Sequence, residues 1–174
     1  MPLRNPTDLA ALNGPGRRFL GLDIGTKTVG LALSDVMRVI ATPTETLRRG
    51  KFGDDAKKLF DMVKQHDVAA LVLGLPLNMD GSEGPRCQSV RQFAANLLAH
   101  FEQQGQDVDI VFWDERLSTV TAHRVMIDAD LSRKRQAEVV DKMAAAVILQ
   151  AFIDYLSYAK RNAPADAKPN PPNE

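Results

Sequence analysis

An α/β fold built on a mixed sheet is what this sequence predicts, and three observations carry the prediction. Residues 19 to 35, FLGLDIGTKTVGLALSD, read as two alternating strands joined by a tight turn, a β-hairpin. Two short, continuous apolar runs, VAALVLGLP from Val68 and VDIVFWDE from Val108, read as strands covered on both faces, as in a parallel arrangement. Between and after them stand segments whose apolar residues recur at the three-four spacing of amphipathic helices. An antiparallel meander followed by alternating strands and helices accommodates all three.

Residues 1 to 16 carry Pro2, Pro6, Pro15, Gly14 and Gly16 without periodicity and are expected to be a flexible arm ahead of a domain over 17 to 159. In the first strand Leu20, Leu22 and Ile24 share one face, while Phe19, Gly21 and Asp23 share the other. Asp23 is thus an acid inside an apolar strand, with Gly21 and Gly25 leaving room beside it. The turn Gly25 to Thr28 leads into Val29 to Ser34. Val39 to Leu47, with Pro43 inside it, suits an edge strand that closes the meander.

Gly53 and Asp54 precede a helical pattern of Ala56, Leu59, Phe60 and Val63. The strand from Val68 ends in a loop, Asn78 to Arg86, rich in turn formers. An amphipathic helix follows on Val90, Phe93, Ala94, Leu97, Leu98 and Phe101. In the strand from Val108, Asp109, Val111, Trp113 and Glu115 share a face, which places Glu115 at the carboxyl end where open α/β sheets bind ligands. Ser118 or Thr119 caps a helix to about Asp128, and Leu131 to Gln136 reads as a mobile basic loop. The last helix, roughly Glu138 to Tyr158, has an apolar stripe through Val140, Ala144, Val147, Ile148, Ala151, Phe152 and Tyr155. Asp141 projects from inside that stripe, nearly in line with Ile148, and so points inward. Residues 160 to 174 are crowded with Pro and Asn and are expected to be a disordered tail.

Composition narrows the function classes. The 174 residues, 44% apolar and 25% charged, suit one globular domain, and no secretory signal or apolar run long enough for a bilayer is present. No membrane partner and a cytoplasmic location are therefore expected. The single cysteine, Cys87, excludes an internal disulfide and a cysteine-rich zinc site, and without a nearby histidine it reads as an inert thiol. Lysine plus arginine equals aspartate plus glutamate at 22 each, so net charge alone does not argue for a polyanionic partner. The positive charge is nevertheless clustered, at Arg17-Arg18, Arg48-Arg49 with Lys51, Lys57-Lys58 and Arg133-Lys134-Arg135.

Singly, Asp23 could cap a turn, Glu115 could lie at the surface, and Asp141 could be a helix-start acid favoured by the macrodipole. Together they belong to elements that pack around one sheet edge. Converging carboxylates repel one another unless a cation is present, and hard oxygen ligands suit Mg²⁺ or Mn²⁺ completed by water and phosphate oxygens. Such a centre hydrolyses phosphodiesters.

Four ordered motifs, GLDIGTKTVGLALSD, LVLGLPLNMDGSEGPR, DERLSTVTAHRVM and VVDKMAAAVILQAF, resemble the YqgF family over about Arg18 to Tyr158. These are RuvX-type Holliday junction resolvase-like proteins now generally described as pre-16S ribosomal RNA nucleases. The resemblance implies a ribonuclease H-like fold with a five-stranded mixed sheet and helices on both faces. It also implies that Asp23, Glu115 and Asp141 are the metal-binding catalytic residues. Many family members carry Arg where this chain has Thr28, which weakens a phosphate contact there; Lys27 beside it can supply the charge.

Lys27, Asn78, Arg86, Arg116 and Lys142 lie at or beside the motifs and are expected to hold substrate phosphates, with Arg133, Lys134 and Arg135 in the basic loop. Glu138, one turn before Asp141, is a candidate fourth acid. His123 reads as a surface residue. The expected partner is nucleic acid, a structured ribosomal RNA precursor, met by a monomer or weak homodimer. Branched DNA is the alternative, since resolving a four-way junction uses the same chemistry. An ATP-binding module, suggested by DIGT before a hairpin, would need a second domain for which this chain lacks length. A non-catalytic RNA-binding role follows if the acids bind no metal.

Overall fold

Alternation along the strands decides which side chains meet which helical layer, and the computed structural model, which describes residues 3–4, 16–117 and 133–162, follows it closely. The elements are β1 (Leu3–Arg4), β2 (Arg18–Ile24), β3 (Thr28–Ser34), β4 (Ala41–Arg48), α1 (Phe52–Gln65), β5 (Val68–Leu75), α2 (Pro85–Gln103), β6 (Asp109–Asp114) and α3 (Arg133–Arg161). The sheet order is β1-β6-β5-β2-β3-β4. Strands β2, β3 and β4 form the antiparallel meander, and β2, β5 and β6 run parallel. This is the expected five-stranded mixed sheet with one addition. Leu3 and Arg4 of the expected arm pair in parallel with Ile110 and Val111 as a two-residue sixth strand.

Strand β5 is buried along its whole length, as its unbroken apolar run requires. Strand β4 forms the other edge, where Pro43 sits opposite Ala32 beside a register shift, so its missing N–H interrupts no inner ladder. On one face Leu20, Leu22, Leu31, Leu71 and Leu73 pack under α1 and α2. On the other, Phe19, Ala32, Ala70, Val72, Val111 and Trp113 pack under α3. Cys87 is buried and its thiol donates to the Pro76 carbonyl at 3.1 Å, a structural role that agrees with an inert thiol. No described helix is long and apolar enough to cross a membrane.

Two expectations about α3 are corrected. Arg133 to Gln136 is helical rather than a loop, because Arg, Lys, Gln, Ala and Glu are all strong helix formers and their charge does not oppose a helix. The buried face also differs: Ala145, Ile148, Leu149, Phe152, Ile153 and Leu156 are buried, whereas Val140, Ala144 and Val147 are only half-buried. Apolar residues surround this helix, so periodicity could not select the face, and the stripe is turned by roughly a third of a turn from the expected one. The expected helix of 118–128, with His123, and residues 163–174 lie outside the described residues.

Candidate active site

The centre of the α3-facing side is a row of residues crossing the sheet. Asp23 pairs with Gly30 of β3. Leu22 pairs with Leu73, so Gly74 of β5 comes next on the other side of Asp23, and Gly74 pairs in turn with Trp113. Two glycines therefore flank the acid. A Cβ on Gly30 would stand 2.0 Å from the Asp141 backbone oxygen, and one on Gly74 would stand 2.5 Å from Oε1 of Glu115 and from Cδ1 of Ile148. The space those side chains would have filled is what admits Asp141 and Glu115 to either side of Asp23. Gly21, one pleat earlier, does the same for Leu149 and the Ala145 carbonyl. Thr28 then donates to Oδ2 of Asp141 at 2.6 Å, which fixes the direction of that carboxylate.

Electrostatics records the convergence. Burial, reinforced by the charge of Asp141 and offset by Arg86, pushes the Asp23 carboxyl up to about 6. Burial and the charges of Asp23 and Asp114, again offset by Arg86, push Glu115 up to about 7. The neighbouring Asp114 behaves in the opposite way: hydrogen bonds from Arg116 hold it below the usual carboxylate range. Asp23 thus feels Asp141, and Glu115 feels Asp23. Among the described residues no three acidic, histidine or cysteine side chains stand close enough to enclose one ion. Hard carboxylate oxygens that are costly to ionise without a partner still fit a cation that takes one or two carboxylates and keeps part of its water shell, as Mg²⁺ does.

The expected substrate contacts divide. Arg86, in the first turn of α2, lines a cleft of about 160 Å³ with Gly25 and Thr26 and is the cation whose charge both Asp23 and Glu115 feel. Lys27 is exposed on the β2–β3 turn and lines a larger cleft, about 450 Å³, that reaches Asp141. Lys142 and Arg135 line a third, of about 280 Å³. Arg133 is exposed at the start of α3; the Lys134 side chain lies outside the described residues.

Asn78 and Arg116 do something else. The Asn78 amide donates to Ser82 Oγ at 3.0 Å and its backbone pairs with Ser82, so it shapes the loop, which turns at Gly81 with a positive φ of 85°. Arg116 grips both oxygens of Asp114 and donates to the Met79 carbonyl at 3.3 Å, tying that loop to the end of β6. Glu138 does not join the acids: it faces Arg48 at 3.5 Å, and its backbone oxygen accepts from Thr46 Oγ1 at 2.6 Å.

Arg48 and Arg49 also line the 450 Å³ cleft, a placement that sequence reasoning missed. The signal lay in the hairpin register: β4 runs one residue past Leu47, and Arg48 pairs with Thr28 next to the site. Arg49 donates to the Gly25 carbonyl at 2.7 Å and its backbone N–H to the Lys27 carbonyl at 2.8 Å.

Comparison with known proteins places the chain in a family and a fold. The model of the RuvX family, described as Holliday junction resolvase, matches residues 17–155. A protein of Paramagnetospirillum magneticum named "Putative pre-16S rRNA nuclease" is 57% identical over 154 residues, covering 88% of this chain and 96% of its own length. A Rhizobium meliloti protein of the same name is 46% identical over 166 residues, covering 95% and 98%. Among solved structures, Thermus thermophilus RuvC in complex with a Holliday junction superposes with a TM-score of 0.52 at 13% identity, over 84% of this chain and 96% of that one. The yeast mitochondrial Holliday junction resolvase gives 0.51 at 11% identity, over 88% and 85%. At such identities the likeness is one of fold, the ribonuclease H-like fold of RuvC-type resolvases.

Proposed function

The chain belongs to the RuvX family, and from that membership together with the coupled acids at its sheet edge we propose that it is a divalent-metal-dependent endonuclease maturing the 5′ end of 16S ribosomal RNA. The observation that carries this reading is the Asp23–Glu115 pair, two carboxyls raised to about 6 and about 7 beside Asp141 and facing Arg86. Carboxyls raised this far by burial and by one another cluster at sites whose function uses them.

Asp23 and Glu115 would hold a Mg²⁺ or Mn²⁺ ion, with the nearby Asp141 carboxylate held by the Thr28 hydroxyl. When bound there, such an ion would lower the pKa of a water and stabilise the leaving oxygen of a phosphodiester. Arg86 meets the phosphate whose charge would otherwise repel the acids. Because both carboxyls must lose a proton to bind a cation, affinity for the ion rises from pH 6 to pH 8. This reading gives the protein a nucleic-acid partner and a cytoplasmic place of action.

The test is cleavage of a labelled precursor RNA fragment in Mg²⁺ by wild type and Asp23→Asn. Loss of charge stabilisation at the centre predicts a fall on the order of 10³-fold. Unchanged cleavage by Asp23→Asn overturns the reading. A four-way DNA junction belongs in the same assay, because the matched family model is described as a junction resolvase. Cleavage of the junction alone transfers the reading to DNA, and symmetric resolution then requires a dimer with two centres.

A further inference from the structure

The three clefts on the acid side are not separate. The cleft of Arg86 and the cleft of Lys27 share Thr26 as a wall, and the latter shares Glu138 with the cleft of Arg135 and Lys142. End to end they form one track over the β2–β3 turn and along the start of α3. It carries six cationic side chains: Arg86, then Lys27, Arg48 and Arg49, then Arg135 and Lys142. At its middle Asp141 borders the groove, while Glu138 engages Arg48 in an open ion pair at 3.5 Å, both side chains being well exposed. Such a pair contributes little to stability, so its partner is exchangeable.

We propose that one strand of the substrate lies in this track, held by its phosphates, and that Glu138 occupies Arg48 until a phosphate displaces it. The inference rests on the nuclease reading and adds to it the path of the strand. It also states what the track does not do. Among the described residues no aromatic side chain lines any of the three clefts, so these walls offer no stacking platform, and cations on flexible stems meeting phosphates carry no sequence information. Affinity comes from the track. Choice of the cleavage position does not.

Binding without cleavage separates the two ideas. The probe is a short fluorescein-labelled single-stranded RNA in EDTA, one version oligo-uridine and one of mixed sequence, followed by anisotropy across a salt series. Removing one cation that meets a phosphate makes the slope of log K against log salt shallower by about 0.7. Arg48→Ala and Lys27→Ala are each expected to show that change, Arg48→Lys to keep the wild-type slope, and Lys57→Ala on exposed α1 to change nothing. Glu138→Gln is expected to tighten binding about two- to five-fold, the fold-change that freeing an exposed pair implies. The two RNA versions should bind within about twofold of each other. Wild-type slopes in both Arg48→Ala and Lys27→Ala overturn the track while leaving the nuclease reading intact, as does a preference above tenfold for one sequence. Absence of RNA binding by wild type overturns both.

Discussion

The two faces of the central sheet come from the same strands and differ in almost every other way. Beneath α1 and α2 the strands present Leu20, Leu22, Leu31, Leu71 and Leu73, all fully buried, and two helices cover them. Beneath α3 they present Phe19, Gly21, Gly30, Ala32, Ala70 and Gly74; the helix lies close enough that no Cβ fits at Gly21 or Gly30, and Glu115 with Ile148 fills the space at Gly74. The first face accumulates apolar area. The second gives up area to let a helix approach, and at its end Asp141 acts on Asp23 and Asp23 on Glu115. Stability and chemistry are thereby assigned to opposite sides of one sheet.

Paired substitutions should break or sharpen that division. Leu71→Ala, on the aliphatic face, is expected to cost about 3–5 kcal/mol in chemical denaturation while leaving cleavage per folded molecule near wild type. Gly30→Ala should cost about 3 kcal/mol, because its Cβ meets backbone rather than a movable side-chain end, and it should abolish cleavage by shifting Asp141. If both variants lose activity equally at matched folded fraction, the two faces are not separable.

A smaller effect follows from the raised carboxyls. Asp23 and Glu115 titrate at about 6 and about 7 in the fold against 3.8 and 4.5 in a free side chain. The folded state therefore binds more protons than the unfolded chain across that window, and stability falls as pH rises from about 4 to about 7. Asp35, Asp80, Glu83 and Asp114 are shifted downward, so their opposite contribution is lost only at lower pH. In EDTA, Asp23→Asn should recover about 1–2 kcal/mol at pH 8 and little at pH 4.5. Thermal melts at the two pH values, with and without Mg²⁺, measure this; equal gains at both would show that the acids are not strained. The smallest effect is expected from Thr28→Val. Losing the hydrogen bond to Asp141 should cost about 1 kcal/mol and lower turnover more than substrate affinity.

Much of the site is legible in the chain. The strand period puts Asp23 and Glu115 on the face opposite the leucines, and the glycines beside Asp23 signal a close approach. The placements that local pattern does not show share one cause. Arg116 sits at a motif position and reads as a phosphate ligand, and in the fold it also clamps Asp114 and the loop at Met79. Arg48 and Arg49 stand out in the sequence only as a basic cluster, yet hairpin register carries them to the cleft beside Asp141. Glu138 and Asp141 are one helical turn apart, and only Asp141 reaches the acids. In each case the residue's partner lies elsewhere in the chain, where local pattern gives no information.

The sequence by itself determined strands β2 to β6, helices α1 and α2 and the body of α3, the face on which each strand residue lies, and the three acids worth watching, because backbone periodicity is a local property. Tertiary structure alone decided that Gly30 and Gly74 bracket Asp23, which face of α3 turns inward, and which cations border the groove. Those depend on strand order, register and helix rotation, and these are chosen by the packing of the whole chain against itself.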